Sequence, residues 1–146
     1  MPSSPRVVAV LDSDPDTVEI LKTILELDGF VVVTGDLNQF RLGKEDLFAF
    51  LERTQPHVIL YDLGLPYESN WHYLETARVN PAFARAGLVI TTTNHEVVQR
   101  LFGVDALEIL GKPYDLGLLV AAVKAACPPE PPGAEAASGS TGSRSS

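Results

Sequence analysis

Cysteine is nearly missing from this chain of 146 residues: Cys127 is the only one, so no disulfide can form within it. Any core must hold without covalent staples, which suits a reducing compartment. Positive charge is scarce as well, with 11 Lys and Arg against 19 Asp and Glu and a net charge of -8. Such an acidic surface repels nucleic-acid phosphates and anionic lipid, which removes the electrostatic basis for direct DNA binding or membrane adsorption. Long hydrophobic runs are missing too. Nothing approaches the roughly 18–20 apolar residues that span a bilayer, and the run at 7–11 is too short for a signal-peptide core. A soluble, cytoplasmic protein is the expectation.

What is present is enough apolar material for one domain: 45% of residues are hydrophobic. A chain of this length is expected to bury a modest core. From residue 128 the composition changes to Pro, Gly, Ala and Ser. That tail, 128–146, has little to bury and is expected to be disordered. The ordered domain should therefore cover 5–127, with no internal repeat.

Short apolar runs alternate with helical patterns along the domain. Residues 7–11 are a continuous valine-rich run, as a parallel strand buried on both faces requires. Asp14, Pro15 and Asp16 then supply a capping residue and a proline for a helix start. Val18, Leu21 and Leu25 follow at helical spacing, and Gly29 ends the segment. Further strands are expected at 30–34, 57–61, 88–92 and 106–110. Helices are expected at 44–54, 70–79, 96–102 and 115–126, and the stretch 35–43 reads as polar and irregular. Five such repeats of strand and helix predict an α/β fold, a doubly wound five-stranded parallel sheet with helices on both faces.

Ligands in such sheets bind beyond the carboxyl ends of the strands. The residues there are Asp12, Ser13 and Asp14 after the first strand, and Asp62 after the third. Thr91, Thr92 and Thr93 follow at the fourth, and Gly111, Lys112 and Pro113 at the fifth. Crowded carboxylates call for a cation. Hard oxygen ligands suit Mg²⁺, and a Lys and a hydroxyl facing such a cluster can handle a phosphoryl group with a carboxylate as nucleophile. Asp14 reads equally as a metal ligand and as a helix N-cap. His57, His72 and His95 show no metal-ligand spacing and read as surface or capping residues.

The series resembles the receiver domain of two-component response regulators, a flavodoxin-like (βα)5 fold. The best match is His57-Val-Ile-Leu-Tyr-Asp62-Leu-Gly-Leu-Pro66: a buried strand, an acceptor aspartate and Leu-x-x-Pro. Leu88-Val-Ile-Thr-Thr92-Thr resembles the strand with the switch hydroxyl, and Leu110-Gly-Lys112-Pro113-Tyr-Asp the Lys-Pro turn, whose peptide bond is cis in that family. The resemblance implies that Asp62 accepts a phosphoryl group from a histidine kinase, a phosphotransfer protein or a small donor. It implies that Asp12, Asp14, Asp62 and the Gly64 carbonyl hold Mg²⁺, that Lys112 binds a phosphoryl oxygen, and that Thr92 swings to the phosphorylated state.

Four departures from the family pattern stand out. Ser13 replaces a metal-binding acid, so Mg²⁺ is expected to bind weakly. Ile109 stands where the family has an aromatic switch. The stretch 36–45 is longer than usual and makes an unusual loop, available to a partner. The segment after the third strand carries Trp71 and Tyr73 in place of a Gly-rich stretch, to pack on the domain or to face a partner.

The leading expectation is a stand-alone receiver, not an enzyme beyond slow self-dephosphorylation, for which Gly64 leaves room beside Asp62. Output would come from binding a downstream protein or from homodimerisation. One alternative is a pseudo-receiver, a scaffold without phosphorylation-dependent switching. Another is a phosphatase of the haloacid-dehalogenase type, with Asp12 as nucleophile.

Overall fold

The structure, a computed structural model, describes residues 5–102, 108–111 and 115–128. Its five apolar runs form β1 (Val7–Asp12), β2 (Val31–Asp36), β3 (Val58–Asp62), β4 (Gly87–Thr92) and β5 (Glu108–Gly111). They make one sheet in the order β2-β1-β3-β4-β5, with every neighbouring pair parallel. This is the doubly wound arrangement expected from the alternation of runs. The chain first moves outward from β1 to β2, then crosses back to β3, so a crevice opens at the carboxyl ends of β1 and β3.

Side chains alternate across the strands, and the core divides accordingly. Val8, Val10, Val58, Leu60 and Val89 point to one face, under α1 (Pro15–Leu27) and α7 (Leu116–Ala126). Leu21, Leu25, Leu119 and Val123 meet them there. Ala9, Leu11, Ile59, Tyr61 and Ile90 point to the other face. There they meet α2 (Leu37–Arg41), α3 (Leu47–Thr54), α4 (Tyr67–Ala77), α5 (Pro81–Arg85) and α6 (His95–Phe102).

Helix starts follow capping chemistry. Asp14 accepts a hydrogen bond from the Asp16 amide and Pro15 takes the first helical position of α1. Asp46 accepts from the Phe48 and Ala49 amides to start α3, and Asp115 accepts from the Leu118 amide to start α7. Each cap satisfies amides that the helix itself leaves without a partner. His57 serves the opposite end of the sheet, where its Nδ1 accepts from the Val7 amide at 2.9 Å.

Three differences from the sequence expectations matter. The stretch 35–43 is not irregular: β2 runs to Asp36, which then caps the one-turn helix α2 through the Asn38 amide. Helix α5 was not expected, although Asn80 caps it and Pro81 opens it. Helix α4 starts at Tyr67, three residues before the expected 70. The Lys112–Pro113 turn and residues 129–146 of the expected tail lie outside the described residues. No helix among the described residues is long and apolar enough to cross a membrane.

Candidate functional site

Asp12, Asp62 and Thr91 continue the rows Val8–Val10, Val58–Leu60 and Val89 by one further step of two, so all three fall on the α1/α7 side of the sheet. The parallel register sets Asp62 directly beside Thr91. Thr91 Oγ1 donates to Asp62 Oδ1 at 3.1 Å. Both groups sit at the mouth of the crevice, Thr91 almost wholly buried and Asp62 half-buried.

The expected switch hydroxyl was Thr92, and here the structure differs. Thr92 lies one residue on and therefore on the opposite face, fully buried, where its Oγ1 accepts from the Asn94 amide at 3.3 Å. The hydroxyl on Asp62 is that of Thr91.

Asp12 is buried, and its Oδ1 accepts from the Ser13 amide at 2.7 Å and the Asp14 amide at 3.1 Å. The chain thus folds back on the carboxylate at the turn into α1. Asp14 goes elsewhere. Its Oδ1 accepts from the Asp16 amide at 3.2 Å and its Oδ2 from the Thr17 hydroxyl at 2.7 Å, both in the first turn of α1. Of its two candidate roles, capping is the one the structure displays.

Beyond Asp62 the chain turns sharply. Leu63 is buried and its amide donates to the Thr91 carbonyl at 2.8 Å. The Leu65–Pro66 peptide is cis. A methyl group placed on Gly64 would lie 4.0 Å from Asp62 Oδ2, with nothing nearer, so glycine leaves open space beside that oxygen. The Gly64 carbonyl, an expected metal ligand, accepts from Asn70 Nδ2 at 2.6 Å. Over the other edge of the site, Tyr67 at the start of α4 meets Thr93, with 3.1 Å between the two hydroxyl oxygens.

Among the described residues, no group of three His, Cys, Asp or Glu side chains is placed to hold an ion. Asp14 turns onto its helix, Ser13 offers at best a neutral oxygen, and the Gly64 carbonyl is engaged by an amide. Mg²⁺, which is held by one or two carboxylates and keeps several waters, would have Asp12 and Asp62 to bind it here. Lys112 lies outside the described residues, and of Ile109 only the backbone, within β5, is described.

Two residues at the site were not named from the sequence, Asn70 and Arg41, and Thr91 was named only as one of three threonines at the end of β4. Asn70 is buried on α4, and its Oδ1 accepts from Arg41 of α2. Its signal in the sequence was slight: a polar residue in line with Leu74 and Ala77, the buried stripe of α4. Trp71 and Tyr73, open between packing and presentation, both pack partly buried against the core.

Tyr61 places its hydroxyl deep in the opposite face, with no hydrogen-bond partner among the described residues. Burial holds its phenol far above the usual tyrosine range; the neighbouring Tyr73 adds to this and the Arg41 guanidinium opposes it. The same pair of influences, burial first and Arg41 against it, raises the Tyr73 phenol.

No family model matches the chain. It is similar to the DNA-binding response regulator MtrA of Mycolicibacterium smegmatis, with 31% identity over 121 residues, 81% of this chain. That match spans 49% of the relative, so the chain corresponds to about half its length. Among solved structures, it resembles the chemotaxis protein CheY4 of Vibrio cholerae with a TM-score of 0.66 and 20% identity, over 84% of this chain and 99% of that one. A response regulator from Thermotoga maritima gives a TM-score of 0.64 and 22% identity, over 84% and 97%. A sensor protein from Polaromonas sp. JS666 gives 0.68 and 21%, over 84% and 96%. At such identities the structural likenesses speak for the fold.

Proposed function

The chain belongs to the response-regulator receiver domains, and on that premise we propose that Asp62 accepts a phosphoryl group and that the loaded domain signals by binding another protein. The observation that carries the reading is the pair Asp62–Thr91 at the carboxyl end of a central strand, with open space over Gly64 beside the other carboxylate oxygen. Oδ2, on the open Gly64 side, is the nucleophile. It attacks the phosphorus of a phosphohistidine on a histidine kinase or phosphotransfer protein. The P–O bond forms as the P–N bond breaks, and the imidazole leaves with a proton.

Charge building on the phosphoryl oxygens needs fixed donors aimed at it. The Lys-Pro motif assigns one of these to Lys112, and the Thr91 hydroxyl is a second once it leaves the carboxylate for the phosphoryl group. The domain is an acceptor, not a turnover enzyme, and we place it in the cytoplasm. Phosphoryl loss is slow hydrolysis by water entering over Gly64. Replacing Gly64 with Leu should lengthen the lifetime of the phosphorylated form; an unchanged lifetime would exclude that route.

The test is incubation with a small phosphodonor followed by intact-mass measurement. The native chain should gain the mass of one phosphoryl group, and Asp62→Asn should gain none. Ser13, in place of the family's metal-binding acid, favours a second reading, a scaffold with the receiver fold and no phosphoryl chemistry. No mass gain in the native chain, together with partner binding unchanged in Asp62→Asn, would establish that reading instead.

A further inference from the structure

The stretch after β2, one of the expected departures from the receiver pattern, is folded into α2 and reaches the site. Its last residue, Arg41, donates through Nη1 to Asn70 Oδ1 and through Nη2 to Asn38 Oδ1, the latter at 2.5 Å. Asn70 is 4% exposed, and its other amide atom, Nδ2, donates to the Gly64 carbonyl at 2.6 Å. An amide whose oxygen accepts from a guanidinium and whose nitrogen donates to a carbonyl has only one workable orientation. The network therefore ties α2, α4 and the turn after Asp62 together. It places a permanent positive charge two hydrogen bonds from the Gly64 oxygen.

We propose that Arg41 and Asn70 form an internal latch that excludes a divalent cation from the Gly64 side of Asp62, so that latch closure and Mg²⁺ binding compete. The inference rests on the receiver reading, which assigns the Gly64 carbonyl and Asp62 to such an ion. An approaching cation meets a carbonyl already accepting from the buried Asn70 amide, and behind it the Arg41 charge, whose repulsion water screens in part because Arg41 is exposed. The Tyr61 hydroxyl is the acceptor we assign to the displaced guanidinium. The Tyr61 hydroxyl lacks a partner among the described residues, and the charge of Arg41 already acts on it. Binding of a cation would thus release Asn70 and shift α2, coupling the ion site to a surface helix.

Coupled equilibria are reciprocal, so removing the latch must tighten the ion. The test is Mg²⁺ titration of the full chain by calorimetry, with emission of Trp71, the only tryptophan, as a second readout. Arg41 is exposed, and Arg41→Gln removes its charge without disturbing the core. We expect Arg41→Gln to bind Mg²⁺ about 5- to 150-fold more tightly than the native chain, the usual range of such couplings. Asn38→Ala removes only the brace on the guanidinium and should shift affinity the same way by a smaller factor. Adding Asp62→Asn to Arg41→Gln should abolish the gain.

No change of affinity in either single variant, including no binding by any form, overturns the latch. A gain that survives Asp62→Asn does so as well, because the ion then sits elsewhere. Phosphoryl uptake at Asp62 is read separately by mass. A latch that fails while Asp62 is still phosphorylated leaves the proposed function standing, and the converse result leaves the latch standing alone.

Discussion

The two faces of the sheet are built to different rules. Under α1 and α7 the buried cluster is entirely aliphatic: Val8, Val10, Leu21, Leu25, Val58, Leu60, Val89, Leu119 and Val123 among others. On the opposite face the cluster takes in Phe40, Phe50, Tyr61 and Phe83, and five described helices, four of them of eight residues or fewer, share the covering. The first face is closed by two long helices with strong caps. The second holds the one-turn α2, the Arg41–Asn70 network and a buried hydroxyl without a partner among the described residues. Asp12, Asp62 and Thr91 extend the rows of the first face, while the residues positioned to influence them come from the second. Rigidity and adjustability are thus assigned to opposite sides of one sheet.

That contrast can be broken most directly by cavities. Leu25 is fully buried in the aliphatic cluster, and Leu25→Ala should cost about 2–5 kcal/mol, by loss of transfer free energy plus the cavity left behind. Leu37, equally apolar and almost as buried, sits on the one-turn helix α2, which can settle into the space. Leu37→Ala should fall at the low end of that range, about 2 kcal/mol. Denaturant midpoints for the two variants decide the matter. Equal losses would mean that α2 is as firmly built as the aliphatic face.

Two glycines sharpen the same point at smaller amplitude. A methyl group on Gly87 would lie 1.9 Å from the backbone oxygen of Ala126, so β4 and the end of α7 touch only because residue 87 has no side chain. Backbone cannot swing aside, and Gly87→Ala should cost about 1–3 kcal/mol as α7 is pushed outward. At Gly35 the methyl group would meet the tip of the Phe40 ring at 2.6 Å. A ring on a short surface helix can turn away, so Gly35→Ala should be milder. Thermal unfolding of both variants tests the ranking, and a costlier Gly35→Ala would reverse the comparison.

Much of the fold was legible because it rests on local chemistry. Apolar runs about five residues long located the strands, the cap at Asp14 located the start of α1, and a largely apolar stretch located α7. What escaped notice was short or relational. Helix α2 is one turn, and Leu37 and Phe40, its only buried residues, are too few to set a period. Helix α5 had its signal in Asn80 and Pro81 but is only five residues long. The exchange of Thr92 for Thr91 turns on pairing register: in a run of three threonines, only the partner strand decides which one faces Asp62. Asp14 was ambiguous for the opposite reason, since a local cap and a distant ligand call for the same residue. The Arg41–Asn70–Gly64 network joins residues 41, 70 and 64 from three elements, and no spacing along the chain announces it.

The subtlest expected effect carries the opposite sign. Tyr61 packs its ring in the core while its hydroxyl has no partner among the described residues, and burying such a group unpaired costs about 1–3 kcal/mol. Tyr61→Phe keeps the ring and drops the hydroxyl, so it should stabilise the domain at neutral pH by about 1 kcal/mol, the low end of that cost. The gain should widen in alkali. Burial first, then Tyr73 and Asp62, raise the folded-state value of the phenol, against the pull of Arg41. The unfolded chain therefore releases this proton first, at about pH 10. The contribution of Tyr61 is whole below that point and is lost as pH climbs toward the higher folded value. Native stability should accordingly fall from about pH 10 upward, and Tyr61→Phe should fall less steeply, keeping only the smaller slope due to Tyr73. Denaturant midpoints at neutral and alkaline pH measure both effects. A destabilised Tyr61→Phe would mean that the hydroxyl is bonded in solution, and the adjustable face would then lack the vacant acceptor that a displaced Arg41 needs.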